Sequence, residues 1–262
     1  MSDYRGKLLV VGIGPGAREQ MTRRAEAAIA EADTVVGYKT YLNLLGDLGP
    51  GKTVIASGMT EEVIRVQQAV DLAEEGRRVA IVSSGDPGVY GMAGLVFEVL
   101  RERGWDPAAG LEVEVVPGTT AANSCAALVG APLMHDYATI SLSDHLTPWE
   151  VIARRVAAAA GADFVIALYN PSATRRKEPL AATRATITRH RPGTTPVALV
   201  HEAYRLGQRV VITDLDHLLD HPVGMLATVI VGNSQTFVYK GFMVTPRGYA
   251  GKYRLEKGDA GQ

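Results

Sequence analysis

Lys7-Leu-Leu-Val-Val-Gly-Ile-Gly-Pro-Gly16 is an apolar run that breaks into a glycine-proline turn. Such a run reads as a buried strand feeding a tight loop. The device recurs twice. Arg78–Ser83 (RVAIVS) runs into Gly85-Asp-Pro-Gly-Val-Tyr-Gly91, and Leu111–Val116 runs into Pro117-Gly-Thr-Thr-Ala-Ala122. Between these strands the pattern turns helical. Glu19–Glu31 is Ala-rich without Gly or Pro. Thr60–Gly76 places Val63, Val66, Ala69, Val70 and Ala73 at helical spacing, and Leu95–Arg103 is a third helix. Thr34–Val36 and Thr53–Ala56 add two short strands. Strand and helix in alternation predict an α/β fold with a mostly parallel sheet. All three glycine loops then emerge at the carboxyl edge, where open α/β sheets bind ligands.

After Pro117-Gly118 the rhythm changes. Thr119–Val129 reads as a small-residue helix. Tyr137–Leu142, whose pattern reads as core, and Asp163–Leu168 are strands around a helix at Pro148–Ala160. Glu178–His190 is helical, and Pro196–His201 and Arg209–Thr213 are strands. Ala227–Val231 and Thr236–Tyr239 lie close enough to form a hairpin across Gly232-Asn-Ser. We therefore expect two α/β domains, residues 1–118 and 119–262, the second with a mixed sheet.

Composition narrows the function. Lys plus Arg is 27 against 28 Asp plus Glu, for a net charge of −1. A nucleic-acid binder needs a basic stripe to replace counterions, so that class is disfavoured. No apolar run reaches the ~18 residues of a spanning helix, and the start lacks the apolar stretch of a signal peptide. With a single cysteine, Cys125, the expected setting is cytoplasmic.

Some motifs match a pattern and fail on context. Gly46-Asp-Leu-Gly-Pro-Gly-Lys-Thr53 fits the phosphate-loop pattern, but a helix precedes it and a strand follows, the reverse of what the mechanism needs. Gly12–Ala17 fits the dinucleotide fingerprint. The acid that should follow the second strand is missing, for Asp33 lies before it. This disfavours a nicotinamide oxidoreductase. His217 and His221 would share a helix face, yet no Glu accompanies them and Pro222 follows at once. We expect no metal site. Cys125 reads as a core thiol.

The loops taken together are more specific. Val11-Gly-Ile-Gly-Pro-Gly16, Gly85–Gly91, Pro117-Gly-Thr-Thr-Ala-Ala-Asn-Ser124 and Thr228-Val-Ile-Val-Gly-Asn-Ser234 follow in order over nearly the whole chain. In these the sequence resembles the tetrapyrrole methylases, which use S-adenosylmethionine to methylate the macrocycle on the cobalamin and siroheme routes. Val36-Gly-Tyr38, Ser143-Asp-His-Leu-Thr-Pro-Trp149, Leu168-Tyr-Asn-Pro-Ser172 and Val231–Thr236 look most like the ring-contracting branch, which methylates carbon 17 of precorrin-3B and yields precorrin-4.

The resemblance implies two α/β domains with an active-site cleft between them, a homodimer, and S-adenosylmethionine as cofactor. Carried over by motif, the cofactor residues are Pro15, Ser84, Gly85, Asp86, Val89, Thr120, Ala121, Asn170, Ala203 and Thr228. The Gly12–Gly16 loop, with Gly14, would line the macrocycle. The donor carries its own leaving group and the acceptor carbon is electron-rich, so placement supplies much of the rate. Ring contraction extrudes carbon 20 as an acetyl group and calls for proton transfer. Asp144 and His145, at a strand end, are the candidates, although Asp144 or Thr147 could equally cap the following helix. Lys39, Arg175 and Arg176 are candidates for the macrocycle carboxylates, against the bland alternative of a solvated charged face. His201 and Glu202 flank the Ala203 position. The lack of appended domains leans toward the cobalt-free route. The rivals are a sibling methyltransferase acting at another ring carbon and a non-catalytic tetrapyrrole carrier.

Overall fold

The computed structural model describes residues 6–47, 51–58, 60–108, 110–171 and 178–255. By internal contacts the chain divides into two units, Met1–Ser124 with Tyr204–Leu206, and Cys125–Ala203 with Gly207–Gln262.

The first unit is built on a parallel sheet of β1 (Lys7–Gly12), β2 (Thr34–Tyr38), β3 (Thr53–Ser57), β4 (Arg78–Ser83) and β5 (Glu112–Val116), in the order β3-β2-β4-β1-β5. Helices α1 (Arg23–Glu31), α2 (Lys39–Leu42), α3 (Glu62–Glu74) and α4 (Ala93–Glu102) connect the strands. β1 and β4 are central and covered on both faces. That is why Leu8–Val11 and Val79–Val82 are unbroken apolar runs rather than alternating ones. One core packs Leu8, Val10, Val36 and Ile81 against α3 and α4. The other packs Leu9, Val11, Val35 and Val82 against α1. Each such side chain contributes roughly 1.5–3 kcal/mol on burial.

Two details differ from the sequence reading. The expected helix from Glu19 is split: Arg18–Gln20 is a 3-10 turn, and α1 starts after Thr22, whose side chain accepts from the Ala25 amide. α3 buries Val66, Ala69, Val70 and Ala73 as expected, but its stripe starts elsewhere. Val63 is 51% exposed while Arg65 is 4% exposed.

α5 (Ala121–Val129) leads into the second unit. There follow β6 (Gly130–Ala131), β7 (Tyr137–Ser141), α6 (Trp149–Gly161), β8 (Val165–Tyr169), α7 (Glu178–Ile187), β9 (Pro196–His201), β10 (Arg209–Asp214), β11 (Ala227–Val231), β12 (Phe237–Tyr239) and β13 (Phe242–Val244). The main sheet has the order β10-β9-β11-β8-β7 and is mixed. β7 and β8 are parallel, and the other pairs are antiparallel. α6 and α7 close one face over Ile166, Leu168, Leu199 and Val229.

The hairpin expected between Ala227–Val231 and Thr236–Tyr239 does not form. β11 is inserted between β8 and β9, and β12 pairs with β13 in a separate three-stranded sheet with β6. The intervening turn is held by its own side chains. Thr236 Oγ1 accepts from Asn233 N at 2.8 Å, and the buried Arg191 guanidinium donates to the Gly232 carbonyl. These bonds send the chain away from β11. Tyr137–Leu142 is likewise less of a core strand than its sequence suggests. β7 is a sheet edge, and only Ile140 and Leu142 are buried.

Candidate functional site

In the first unit the loops after β1, β4 and β5 meet main chain to main chain. Gly14 and Gly85 pair as an isolated bridge, with Gly14 N to Gly85 O at 3.1 Å and Gly85 N to Gly14 O at 2.7 Å. Both glycines have φ near +70°, a region that L side chains rarely enter. A Cβ on Gly118 would come within 2.1 Å of Gly85 O and 2.7 Å of Gly12 O. The loops can converge only because those positions carry no side chain.

Asp86 fastens this arrangement. Its Oδ1 accepts from Gly88 N at 2.8 Å and its Oδ2 from Gly118 N at 3.0 Å. Ser83 Oγ accepts from Met92 N at 3.2 Å, and Val89 N donates to Asp86 O at 3.2 Å. Thr120 caps α5, its Oγ1 accepting from Asn123 N at 3.2 Å. Pro15, Ser84, Gly85, Asp86, Val89 and Thr120 thus belong to loops at one edge of the parallel sheet, with Ala121 at the start of α5 beside them. Lys39, exposed at the end of β2, lies at that edge too.

The second unit gathers the remaining candidates at one edge of its own sheet. Asp144 and His145 follow β7, Asn170 follows β8 and Ala203 follows β9. These strands run the same way, and Thr228 lies near the start of the antiparallel β11. Asn170 takes a left-handed backbone (φ 51°), and its Nδ2 donates to Ser141 Oγ at 3.0 Å. Asp144 is half-buried and His145 exposed. The cap of α6 is Pro148, without a side-chain bond, so neither Asp144 nor Thr147 occupies the capping position. His201, at the end of β9, is held below its ordinary value by burial and by Arg209. Cys125 hydrogen-bonds with Thr228, and burial pushes its thiol up to about 11, which keeps it an inert core group. Arg175 and Arg176 lie outside the described residues.

The sequence profile of the tetrapyrrole (corrin/porphyrin) methylases matches residues 7–219. The chain belongs to that family. Its relatives include a cobalt-factor III methyltransferase of Priestia megaterium, 55% identical over 97% of this chain and 47% of the relative. A probable cobalt-factor III C(17)-methyltransferase of Salmonella typhimurium is 47% identical over 92% of this chain and 99% of the relative. The chain therefore spans about half the length of the first and nearly all of the second. Among solved structures, the methyltransferase CobJ matches with a TM-score of 0.85 at 34% identity, over 92% of this chain and 100% of that one.

For a tetrapyrrole methylase the apparent nucleotide motifs needed another explanation, and the structure supplies it. Lys52 Nζ donates to the Ala30 and Ala32 carbonyls at 2.7 and 2.6 Å, closing the C-terminal end of α1. Asp33 Oδ2 accepts from Arg78 N at 3.1 Å. Of the two histidines, His217 binds Asp214 at 2.7 Å, and Leu218–Asp220 is a 3-10 turn rather than an α-helix. Among the described residues no cluster of metal-ligating side chains occurs, and no helix is long and apolar enough to cross a membrane.

One residue at the site escaped the sequence reading. Arg205 Nε donates to Pro15 O at 2.6 Å and its Nη2 to Ser84 Oγ at 3.0 Å. Its stem lies where a Cβ on Gly16 would be, 2.8 Å from Nε. The only signal available was a cation in the short loop after β9. A cavity of about 280 Å³ lies at the other edge of the second sheet, beside Asp136, Asp163, Phe164, Asn233 and Gln235. No candidate residue lines it.

Proposed function

We propose that this chain transfers a methyl group from S-adenosylmethionine to carbon 17 of precorrin-3B, with ring contraction to precorrin-4, on the route to cobalamin. The observation that supports it most is the convergence of the Gly12–Gly16, Ser84–Gly91 and Pro117–Ala121 loops at one sheet edge, fastened by Asp86.

The residues present fit the cofactor. Asp86 uses one lone pair on each oxygen for Gly88 and Gly118 and keeps others for an ammonium or a ribose hydroxyl. The start of α5, capped by Thr120, brings the Ala121 amide to the same edge. S-adenosylmethionine, when bound, supplies an activated methyl group and its own leaving group. The chain needs no nucleophile of its own. Its loops, cross-braced through main-chain bonds, hold the reactants at fixed separation, and such placement is worth up to roughly 7–11 kcal/mol. The resemblance extends the cofactor contacts to Asn170, Ala203 and Thr228, and assigns Gly14, Lys39, Arg175 and Arg176 to the macrocycle. Asp144 or His145 exchanges the proton at the macrocycle hydroxyl during ring contraction. The resemblance also implies a cytoplasmic homodimer, which sedimentation at working concentrations would test.

Both named relatives carry cobalt-factor III in their names. That favours, as a second reading, a macrocycle that already holds cobalt, against the cobalt-free expectation. Parallel assays with the metal-free and cobalt-bearing substrates decide between them.

The test of the main reading is calorimetric titration with S-adenosylhomocysteine, followed by product analysis for D144N and H145A. We expect saturable binding in all three proteins. At least one variant should lose ring contraction by about 10²-fold or more, the scale of a general acid–base group. Full ring contraction by both variants removes these residues from the mechanism. No binding of the homologue by folded wild type removes the methyltransferase reading.

A further inference from the structure

Arg65 stands on the buried stripe of α3, four residues before Ala69 and eight before Ala73, where the helix would ordinarily carry an apolar side chain. Its contacts are all uncharged. Nε donates to Ser57 Oγ and Nη2 to Gly58 O at 2.7 Å, while Nη1 meets only Met92 Sδ at 3.8 Å. The nearby carboxylates are turned to main-chain amides: Glu61 Oε2 accepts from Gly58 N and Glu62 Oε1 from Thr60 N. Among the described residues no carboxylate forms an ion pair with Arg65. A guanidinium this deeply buried normally has a counter-charge, because desolvation is costly without one.

Its surroundings suit a planar, acidic ligand. The guanidinium lies 6.0 Å from the centre of the Tyr38 ring. Tyr38 meets Tyr41 edge to face at 5.2 Å. The Tyr41 phenol is raised by burial, and the charges of Arg205 and Arg65 both act against that rise. Lys39 is exposed between the two tyrosines in sequence. Two aromatic rings and three cations therefore lie along the carboxyl edge of β2, β3 and β4 in the first unit. Met92 is the soft member of this group. A thioether is a weak acceptor on a flexible stem, so it can yield Nη1 to a stronger partner.

We infer that Arg65 receives a side-chain carboxylate of the macrocycle, with Tyr38 and Tyr41 against the ring system. This rests on the tetrapyrrole reading above and adds a named subsite to it. A carboxylate would replace the thioether and take two parallel N–H bonds from the fork, the geometry in which Arg surpasses Lys.

The test uses uroporphyrin III, an air-stable tetrapyrrole with eight carboxylates, followed by fluorescence on the full chain. Wild type, R65M and R65K are compared, with S-adenosylhomocysteine calorimetry alongside. R65M should weaken porphyrin binding by about tenfold or more and R65K by less, with S-adenosylhomocysteine affinity unchanged within about twofold. A folded R65M that binds uroporphyrin III as wild type does overturns the inference. So does a wild type that binds S-adenosylhomocysteine and ignores the porphyrin. Should R65M fail to fold, wild type alone decides. The porphyrin with every carboxylate converted to a neutral ethanolamide should bind far more weakly, and equal affinity overturns the inference. Porphyrin binding that depends on Arg65, without any S-adenosylhomocysteine binding, would leave the subsite standing and remove the methyltransferase reading.

Discussion

Asp86 has both carboxylate oxygens engaged before any ligand arrives, on Gly88 N and Gly118 N. Removing it therefore has two consequences that a single Ala variant confounds. D86A should lose about 1–3 kcal/mol of stability through unsatisfied amides, together with S-adenosylhomocysteine affinity. D86N keeps one accepting oxygen and should recover part of the stability while still binding the homologue less tightly, because the charge is gone. Melting temperature and calorimetry on the same two proteins check this; equal stability in D86A and wild type would mean that the two bonds do not brace the loops. The Asp86 loop was legible because Gly, Asp and Pro in sequence announce a turn. Arg205 and Ser84 were not a legible pair, being 121 residues apart and joined only by folding. Arg65 could have been found. A cation at Ala69 minus four and Ala73 minus eight sits on an apolar stripe, and stripe-breaking residues are where sequence rules give way to function.

At the scale of elements, α1 is held to β5 by a charged cluster. Glu114 on β5 accepts from Arg24 Nε at 2.6 Å and lies 3.1 Å from Lys7 Nζ on β1. The Arg24 hydrogen bond, with help from Lys7 and against partial burial, lowers the Glu114 carboxyl from its ordinary 4.5 to about 2. A carboxyl lowered in the folded state stabilises fully above its unfolded value, and that contribution is lost as pH falls toward the folded value. The contribution of Glu114 should thus fade between about pH 4.5 and pH 2. The melting temperature of E114Q should lie below wild type at pH 7 and approach it in that acid window. Parallel melting curves for the two proteins would show no window at all. Element boundaries moved by a few residues because caps set them, as Thr22 does for α1. The missed element was the pairing of β12. The Gly232–Thr236 turn looks like a hairpin loop in sequence, but its direction is set by Asn233, Thr236 and the distant Arg191. Local turn chemistry cannot reveal a bond to a side chain 41 residues away.

Among the described residues the two units share no core cluster, and each contains one tryptophan. Trp105 packs on the core of Ile81 and Val96, and Trp149 on that of Leu168 and Val156. The sequence has only these two tryptophans, so W149F and W105F leave a reporter in one unit at a time. The expectation of two domains rests on the change of rhythm after Pro117, from strand–helix alternation to antiparallel strands. The structure has a core on each face of the first sheet and another in the second unit. I81A removes a buried side chain from the first core and L168A from the second, each at a cost of about 2–5 kcal/mol. In denaturant titrations I81A should shift the Trp105 midpoint more than the Trp149 midpoint, and L168A should do the reverse. If either substitution moves both reporters equally, the units unfold as one cooperative body.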